Sequence, residues 1–153
     1  MKRVFIDGEK CQGCKNCVLY CMVEKNQNAS CLLELDLTDK KTESRNAVTL
    51  KTKEQQPVPL ICRHCHEPEC VSNCISGAMT KDDRSVVNHA ADKCVACYMC
   101  VMSCPYGVLK PSADENVKVL KCDRCADSEE ELPACVRGCV TGALYMEEVD
   151  KVT

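Results

Sequence analysis

The sequence predicts an α+β fold of short strands and short helices arranged around cysteine loops, and three observations predict it. Seventeen of the 153 residues are cysteine, and sixteen of these fall into four groups of four. After three of the groups one layout recurs: a glycine three positions beyond the closing cysteine, then a short apolar run. Large apolar side chains are scarce, with one Phe, four Tyr and no Trp, so a conventional core would be thin for this length.

The elements follow in chain order. Val4-Phe5-Ile6 reads as a strand leading into the first group, Cys11, Cys14, Cys17 and Cys21, spaced C-x2-C-x2-C-x3-C. Met22 to Asn26 lack the glycine layout, which predicts that a helix continues there. Leu33, Leu35 and Leu37 alternate with polar residues, as do Val48 and Leu50, so residues 31–53 are expected to form a hairpin. The second group, Cys62, Cys65, Cys70 and Cys74, has its middle gap widened to x4 and is followed by Ile75-Ser76-Gly77-Ala78-Met79. Gly77 to Val87 reads as a hairpin turning at Asp82-Asp83. The third group, Cys94, Cys97, Cys100 and Cys104, returns to the first spacing and runs into Pro105-Tyr106-Gly107-Val108-Leu109. Val117 to Leu120 reads as a strand. The fourth group, Cys122, Cys125, Cys135 and Cys139, has a middle gap of x9 and is followed by Val140-Thr141-Gly142-Ala143-Leu144, with Ala143 to Tyr145 as a last strand.

So many cysteines mean disulfides or metal. Disulfides need an oxidising compartment, and the opening MKRVFIDGEK has no apolar h-region, twin arginine or small-residue cleavage site. No stretch approaches the apolar length of a membrane span. A cytoplasmic, reduced protein that binds metal is expected. The formal charge is −3, and ligand thiolates make it more negative, which argues against nucleic-acid binding.

Spacing then selects among metals. In C-x2-C-x2-C three thiolates come from one tight loop and converge on three corners of a cube. The fourth cysteine lies one helical turn on, and in two-cluster ferredoxins it ligates the neighbouring cluster. Zinc also takes four thiolates per site, but from C-x2-C pairs separated by longer loops. Three cysteines in seven residues fit a [4Fe–4S] cubane better, and Pro105 after Cys104 matches the bacterial ferredoxin pattern. A zinc-bound structural or interaction module stays open as the alternative of another class.

Four quartets, the second and fourth widened in the middle, resemble the four-cluster iron–sulfur subunits of the dimethyl-sulfoxide-reductase type. The resemblance implies two ferredoxin-like two-cluster modules, the inner inserted into the outer. Residues 1–30 and 105–153 would form the outer module, 31–57 a hairpin insertion and 58–104 the inner module. It implies four [4Fe–4S] clusters. The outer pair would take Cys11, Cys14, Cys17 and Cys139, then Cys21, Cys122, Cys125 and Cys135. The inner pair would take Cys74, Cys94, Cys97 and Cys100, then Cys62, Cys65, Cys70 and Cys104. It also implies a non-catalytic electron-transfer subunit working in low oxygen between a large catalytic redox subunit and a second redox protein (flavoprotein, hydrogenase or ferredoxin). Carbon monoxide dehydrogenase or a tungsten aldehyde oxidoreductase is the favoured catalytic partner, ahead of formate dehydrogenase and hydrogenase. A free, diffusing polyferredoxin is the alternative within the class. No nucleophile–base pair or phosphate loop suggests catalysis within the chain.

The remaining residues read plainly. Cys31 is expected to be a small buried hydrophobe at the start of a strand. His64 and His66 are expected to add loop polarity, and His89 to lie at the surface. Glu129 to Glu131 read as a solvated loop. Lys15, Arg63, Arg124 and Arg137 lie close to cysteines, whereas the third group carries no charge between its ligands, so its cluster is expected to have the lowest potential of the four.

Overall fold

A computed structural model describes residues 2–26, 29–45, 48–51 and 57–149 of the chain. Among them, strands pair only two by two, and the helices are short. β1 (Lys2–Ile6) pairs antiparallel with β8 (Leu144–Glu148), Phe5 opposite Tyr145, and the two rings stack with centroids 5.8 Å apart. Such a cross-strand aromatic pair stabilises a two-stranded ribbon. It also uses the one Phe of the sequence. Between them run α1 (Asn16–Lys25), β2 (Val48–Lys51), β3 (Pro57–Leu60) and α2 (Glu69–Ser72). β4 (Met79–Lys81), β5 (Val87–His89), α3 (Met99–Met102), β6 (Lys110–Pro111), β7 (Val119–Leu120) and α4 (Ala134–Arg137) follow.

The layout after the closing cysteines is realised. The Cys74, Cys104 and Cys139 carbonyls accept the N–H groups of Gly77, Gly107 and Gly142 at 3.2, 3.1 and 3.1 Å. These glycines sit at φ +64°, +59° and +65°, where a Cβ would be strained. The apolar pairs that follow, Ala78-Met79, Val108-Leu109 and Ala143-Leu144, are all buried. The hairpin predicted over residues 77–87 forms as β4 and β5. Its turn is closed by Asp82, whose carboxylate accepts the Val86 N–H at 2.7 Å.

Two expectations are corrected. The residue 31–53 hairpin does not form as drawn: Leu32–Glu34 is a single 3-10 turn, Leu33 and Leu37 are exposed, and β2 pairs instead with β3, Val48 opposite Leu60. Local side chains take the backbone donors that a strand would use. Glu34 accepts from the Ser30 N–H and hydroxyl, Asp36 from those of Thr38, and Asp39 from the Lys41 N–H. The parts of that expectation at residues 46–47 and 52–53 lie outside the described residues. The strand expected from Val117 starts only at Val119, because the Val117 and Lys118 N–H groups both bond to the Asp114 carbonyl and Lys118 takes φ +62°.

Cysteines help to build the apolar core. One buried cluster joins Met79, Cys100, Val108, Leu109 and Val119, with Cys62, Cys70, Cys74, Cys94 and Cys104 packed against it. A second joins Cys17, Ile61, Cys135 and Leu144, with Cys122 and Cys139 at its edge. Thiol-bearing loops thus stand where larger apolar side chains would.

Candidate metal centres

Each C-x2-C loop bends the same way. The second residue between the paired cysteines has positive φ in all four groups: Gly13 (66°), His64 (46°), Ala96 (55°) and Arg124 (59°). Three of these are not glycine, and such backbone costs on the order of 1–3 kcal/mol per residue, a strain that persists where a site requires it. The bend turns N–H groups inward. Ala96 N lies 3.4 Å from Cys94 Sγ, and Arg124 N lies 3.4 Å from Cys122 Sγ. At the closing cysteines, Met79 N donates to Cys74 Sγ at 3.4 Å and Leu144 N to Cys139 Sγ at 3.3 Å. Burial alone would raise the Cys74 and Cys139 thiols. The N–H donors and the neighbouring Ser76 and Thr141 hydroxyls outweigh it and hold both below the ordinary thiol value.

Cysteines from separate groups come together in the fold. Cys11, Cys14, Cys17 and Cys139 line one hollow of about 440 Å³, open mouth included. Cys21, Cys122, Cys125 and Cys135 line a second of about 390 Å³, joined there by Cys62 and His64. Burial, then the repulsion of Cys62 and Cys104, raises the Cys65 thiol. Cys70 is pushed up to about 11, by burial first and by Cys62, Cys104 and Cys65 after it. Cys100 is raised by burial and then by Cys74 and Cys94. Cys17 is also pushed up to about 11, mainly by burial. Thiols this reluctant to ionise are deprotonated by binding a metal, so metal affinity and folding are coupled. A single tetrahedral ion draws four sulfurs to about 2.3 Å from one point. Three cysteines within seven residues, as in the first and third groups, suit a multi-atom cluster instead. Of the sixteen cysteines, Cys14 and Cys97 are the two that lie exposed.

Helices carry ligands in pairs. α1 bears Cys17 and Cys21 one turn apart, α3 bears Cys100 with Cys104 just beyond its end, α2 bears Cys70 before Cys74, and α4 bears Cys135 before Cys139. α1 packs on α4 and α2 on α3. Arg137 of α4 clamps the first pair through Glu24 of α1 at 2.8 Å. Asp123 clamps the fourth loop, reaching Lys25 at 2.9 Å and Arg45 at 2.5 Å while accepting the Cys125 N–H at 3.0 Å. Burial alone would raise the Asp123 carboxyl, but Lys25 and Arg45 hold it below its ordinary value.

Several single-residue expectations change. Cys31 is exposed beside the 3-10 turn, not buried on a strand. His64 is buried, not a polar loop residue: its Nδ1 accepts the Val87 N–H at 2.9 Å, and burial with nearby Lys121 and Arg124 lowers its pKa to about 3. His89 is half-buried, with its Nε2 enclosed. His66 is exposed, as expected of loop polarity. Arg63 lies over the Tyr106 ring at 4.6 Å, and Arg124 donates to the carbonyls of Lys2 and Arg84. Glu129 to Glu131 form an exposed loop. The third group carries no charge between its cysteines, but the fold brings Lys118 to it, its ammonium donating to the Cys94 carbonyl at 2.7 Å. Sequence reasoning also missed Lys121, a buried cation beside Cys122. Only its place next to a ligand cysteine hinted at a role.

Comparison with known proteins shows the family. The family described as "4Fe-4S dicluster domain" matches residues 53–149. The B subunit of the anaerobic dimethyl sulfoxide reductase of Escherichia coli (strain K12) is 32% identical over 97% of this chain and 74% of its own length. Electron transport protein HydN of the same organism is 30% identical, covering 97% of this chain and 89% of its own. In fold, the protein is similar to a subunit of the active site complex BamBC of benzoyl coenzyme A reductase, with a TM-score of 0.50, 23% identity, and coverage of 99% and 83%. Among the described residues no helix is long and apolar enough to cross a membrane.

Proposed function

The protein belongs to the 4Fe–4S dicluster family and its cofactors are [4Fe–4S] clusters, and on that premise we propose that it is a four-cluster wire, a non-catalytic electron-transfer subunit of a larger redox enzyme. Each cluster, when bound, takes up and gives back one electron. The observation that supports a wire is the order in which the protein's own elements link the quartets. α1 joins the quartet of Cys11, Cys14, Cys17 and Cys139 to that of Cys21, Cys122, Cys125 and Cys135. Cys62, lining the second hollow, leads from there to the quartet of Cys62, Cys65, Cys70 and Cys104. α2 and α3 lead on to Cys74, Cys94, Cys97 and Cys100. The exposed cysteines, Cys14 and Cys97, belong to the first and last quartets of that series. The two ends of the wire are thus the places where electrons enter and leave.

The protein's residues hold and tune. Cysteines fix the clusters, N–H groups of the bent loops stabilise their negative charge, and buried aliphatic residues keep water from the middle of the series. A nested arrangement accounts for the pairing of β1 with β8 around everything between them. In that arrangement the hairpin of β6 and β7 sides with the inner module, because Val108, Leu109 and Val119 pack with Met79 and Cys100. The partners are a large catalytic redox subunit at one end and a second redox protein at the other. Carbon monoxide dehydrogenase and tungsten aldehyde oxidoreductase are the first catalytic subunits to test.

The test is anaerobic purification from the native host, with iron, sulfide and zinc measured on whatever co-elutes. About sixteen irons and sixteen sulfides per chain, after correction for a partner's metal, together with a large catalytic subunit, are expected. A protein that elutes alone with full iron is instead a diffusing carrier. About four zincs without sulfide refutes electron transfer outright.

A further inference from the structure

Lys121 is 3% exposed, yet among the described residues it meets no carboxylate at ion-pair distance. Its ammonium donates to the Cys122 carbonyl at 2.7 Å and to Cys62 Sγ at 3.6 Å. A buried charge without a counter-ion is costly, so one must be supplied. Cys122 and Cys62 belong to different quartets of the ligand set proposed above, and this inference rests on that set. Lys121 therefore stands where the outer and inner halves of the series meet. His64 stands with it. Its Nδ1 accepts from Val87, so its Nε2 carries the proton, and that N–H is buried without a partner while the ring lines the hollow of Cys21, Cys122, Cys125 and Cys135.

We propose that Lys121 and His64 form a buried donor pair between these two quartets, with the thiolates and sulfides of two neighbouring clusters as its missing acceptors. Reduction adds one negative charge to a cluster, and a fixed cation close by favours the reduced state. The two middle clusters are thereby drawn to higher potential than the protein would otherwise give them. Lys121 acts on both, His64 on the outer one alone.

The experiment is an EPR-monitored potentiometric titration of the anaerobic holoprotein, with dithionite as the one-electron reductant. In Lys121→Met two of the four waves fall, each by about tenfold or more in reduction constant, 59 mV per tenfold for a one-electron couple. The other two waves stay in place. Lys121→Arg, which keeps the charge, remains close to wild type. His64→Leu lowers a single wave, one of the same two, by several-fold. Where Lys121→Met does not assemble, Lys121→Gln, which keeps N–H donors without the charge, carries the same expectation. Waves that do not move in a fully loaded variant overturn the proposal, as does an equal fall of all four. Cys62→Ser and Cys122→Ser separate this from the ligand reading: altering two different waves upholds the quartets, and altering one and the same wave overturns them whatever Lys121 does.

Discussion

Gly138 closes α4 where that helix meets Tyr20 of α1, and replacing it by alanine isolates a steric question. The backbone there is ordinary, at φ −79° and ψ 0°, so alanine is conformationally allowed. On backbone entropy alone Gly138→Ala would stabilise the fold by about 0.4–1 kcal/mol. The added Cβ, however, falls 2.9 Å from Tyr20 Cβ and closer still to two ring carbons. Carbon contacts settle at about 3.5–4.0 Å. Since Tyr20 Cβ is fixed to the α1 backbone, rotating the ring does not relieve the clash, and the helices must separate. Overpacking of this kind costs typically about 1–3 kcal/mol, occasionally more, so a net loss of about 2 kcal/mol is expected. For a protein of this size that is about 4–8 °C. Bleaching of the visible absorption on anaerobic heating at one fixed scan rate reads it, and the iron content should fall because Cys17 and Cys21 ride on α1, Cys135 on α4 and Cys139 just beyond its end. Tyr20→Ala in the Gly138→Ala background removes the two closer ring contacts but keeps the 2.9 Å Cβ contact, so it should restore only part of the loss. A Gly138→Ala protein that bleaches at the wild-type temperature, or a second substitution that deepens the loss, refutes the reasoning.

Asp123→Ala leaves Lys25 and Arg45 without their shared carboxylate, each less than a third exposed, and removes an acceptor for Cys125 N–H. It should cost about 2–3 kcal/mol, between the values for exposed and fully buried pairs, and the thermal midpoint of bleaching measures it. Gly142 sits at φ +65° with open space around a built Cβ, so Gly142→Ala should cost about 1–2 kcal/mol from backbone strain alone. Gly142→Asn should cost less, and equal losses by the same assay would argue against a backbone origin. Chelating the iron should abolish most far-ultraviolet circular dichroism, because the quartets cross-connect distant segments. An apoprotein with native dichroism would show that the side-chain clusters suffice by themselves.

What could be read in advance followed short-range rules. C-x3-C puts two thiols a helical turn apart, and a helix continues after Cys21 to Lys25. The glycine three positions past a closing cysteine returned as the turn at Gly77, Gly107 and Gly142. Asp82 marked its hairpin because an aspartate carboxylate closes a turn within four residues. Expectations failed where local side-chain hydrogen bonds or distant segments override the pattern. Alternating leucines from Leu33 to Leu37 resemble a strand, but their own Asp and Glu neighbours hold the backbone in turns. His64 is buried because β5 folds back onto the second loop, and no spacing rule brings Val87 to it. Lys118 reaches Cys94 across the β6–β7 hairpin, which is why a group without internal charges is not a group without a cation.

The pairing of β1 with β8 has a consequence for biogenesis. While the protein emerges from the ribosome, Cys11, Cys14 and Cys17 appear early but meet Cys139 only after all the residues between them have been made, whereas residues 62–104 contain both proposed inner quartets. The segment that carries the second and third groups is thus complete before β8 exists, and β8 is the latch that closes on β1 last. A chain that stops short of Leu144 would lack the β1–β8 pairing that holds the first and fourth cysteine groups side by side.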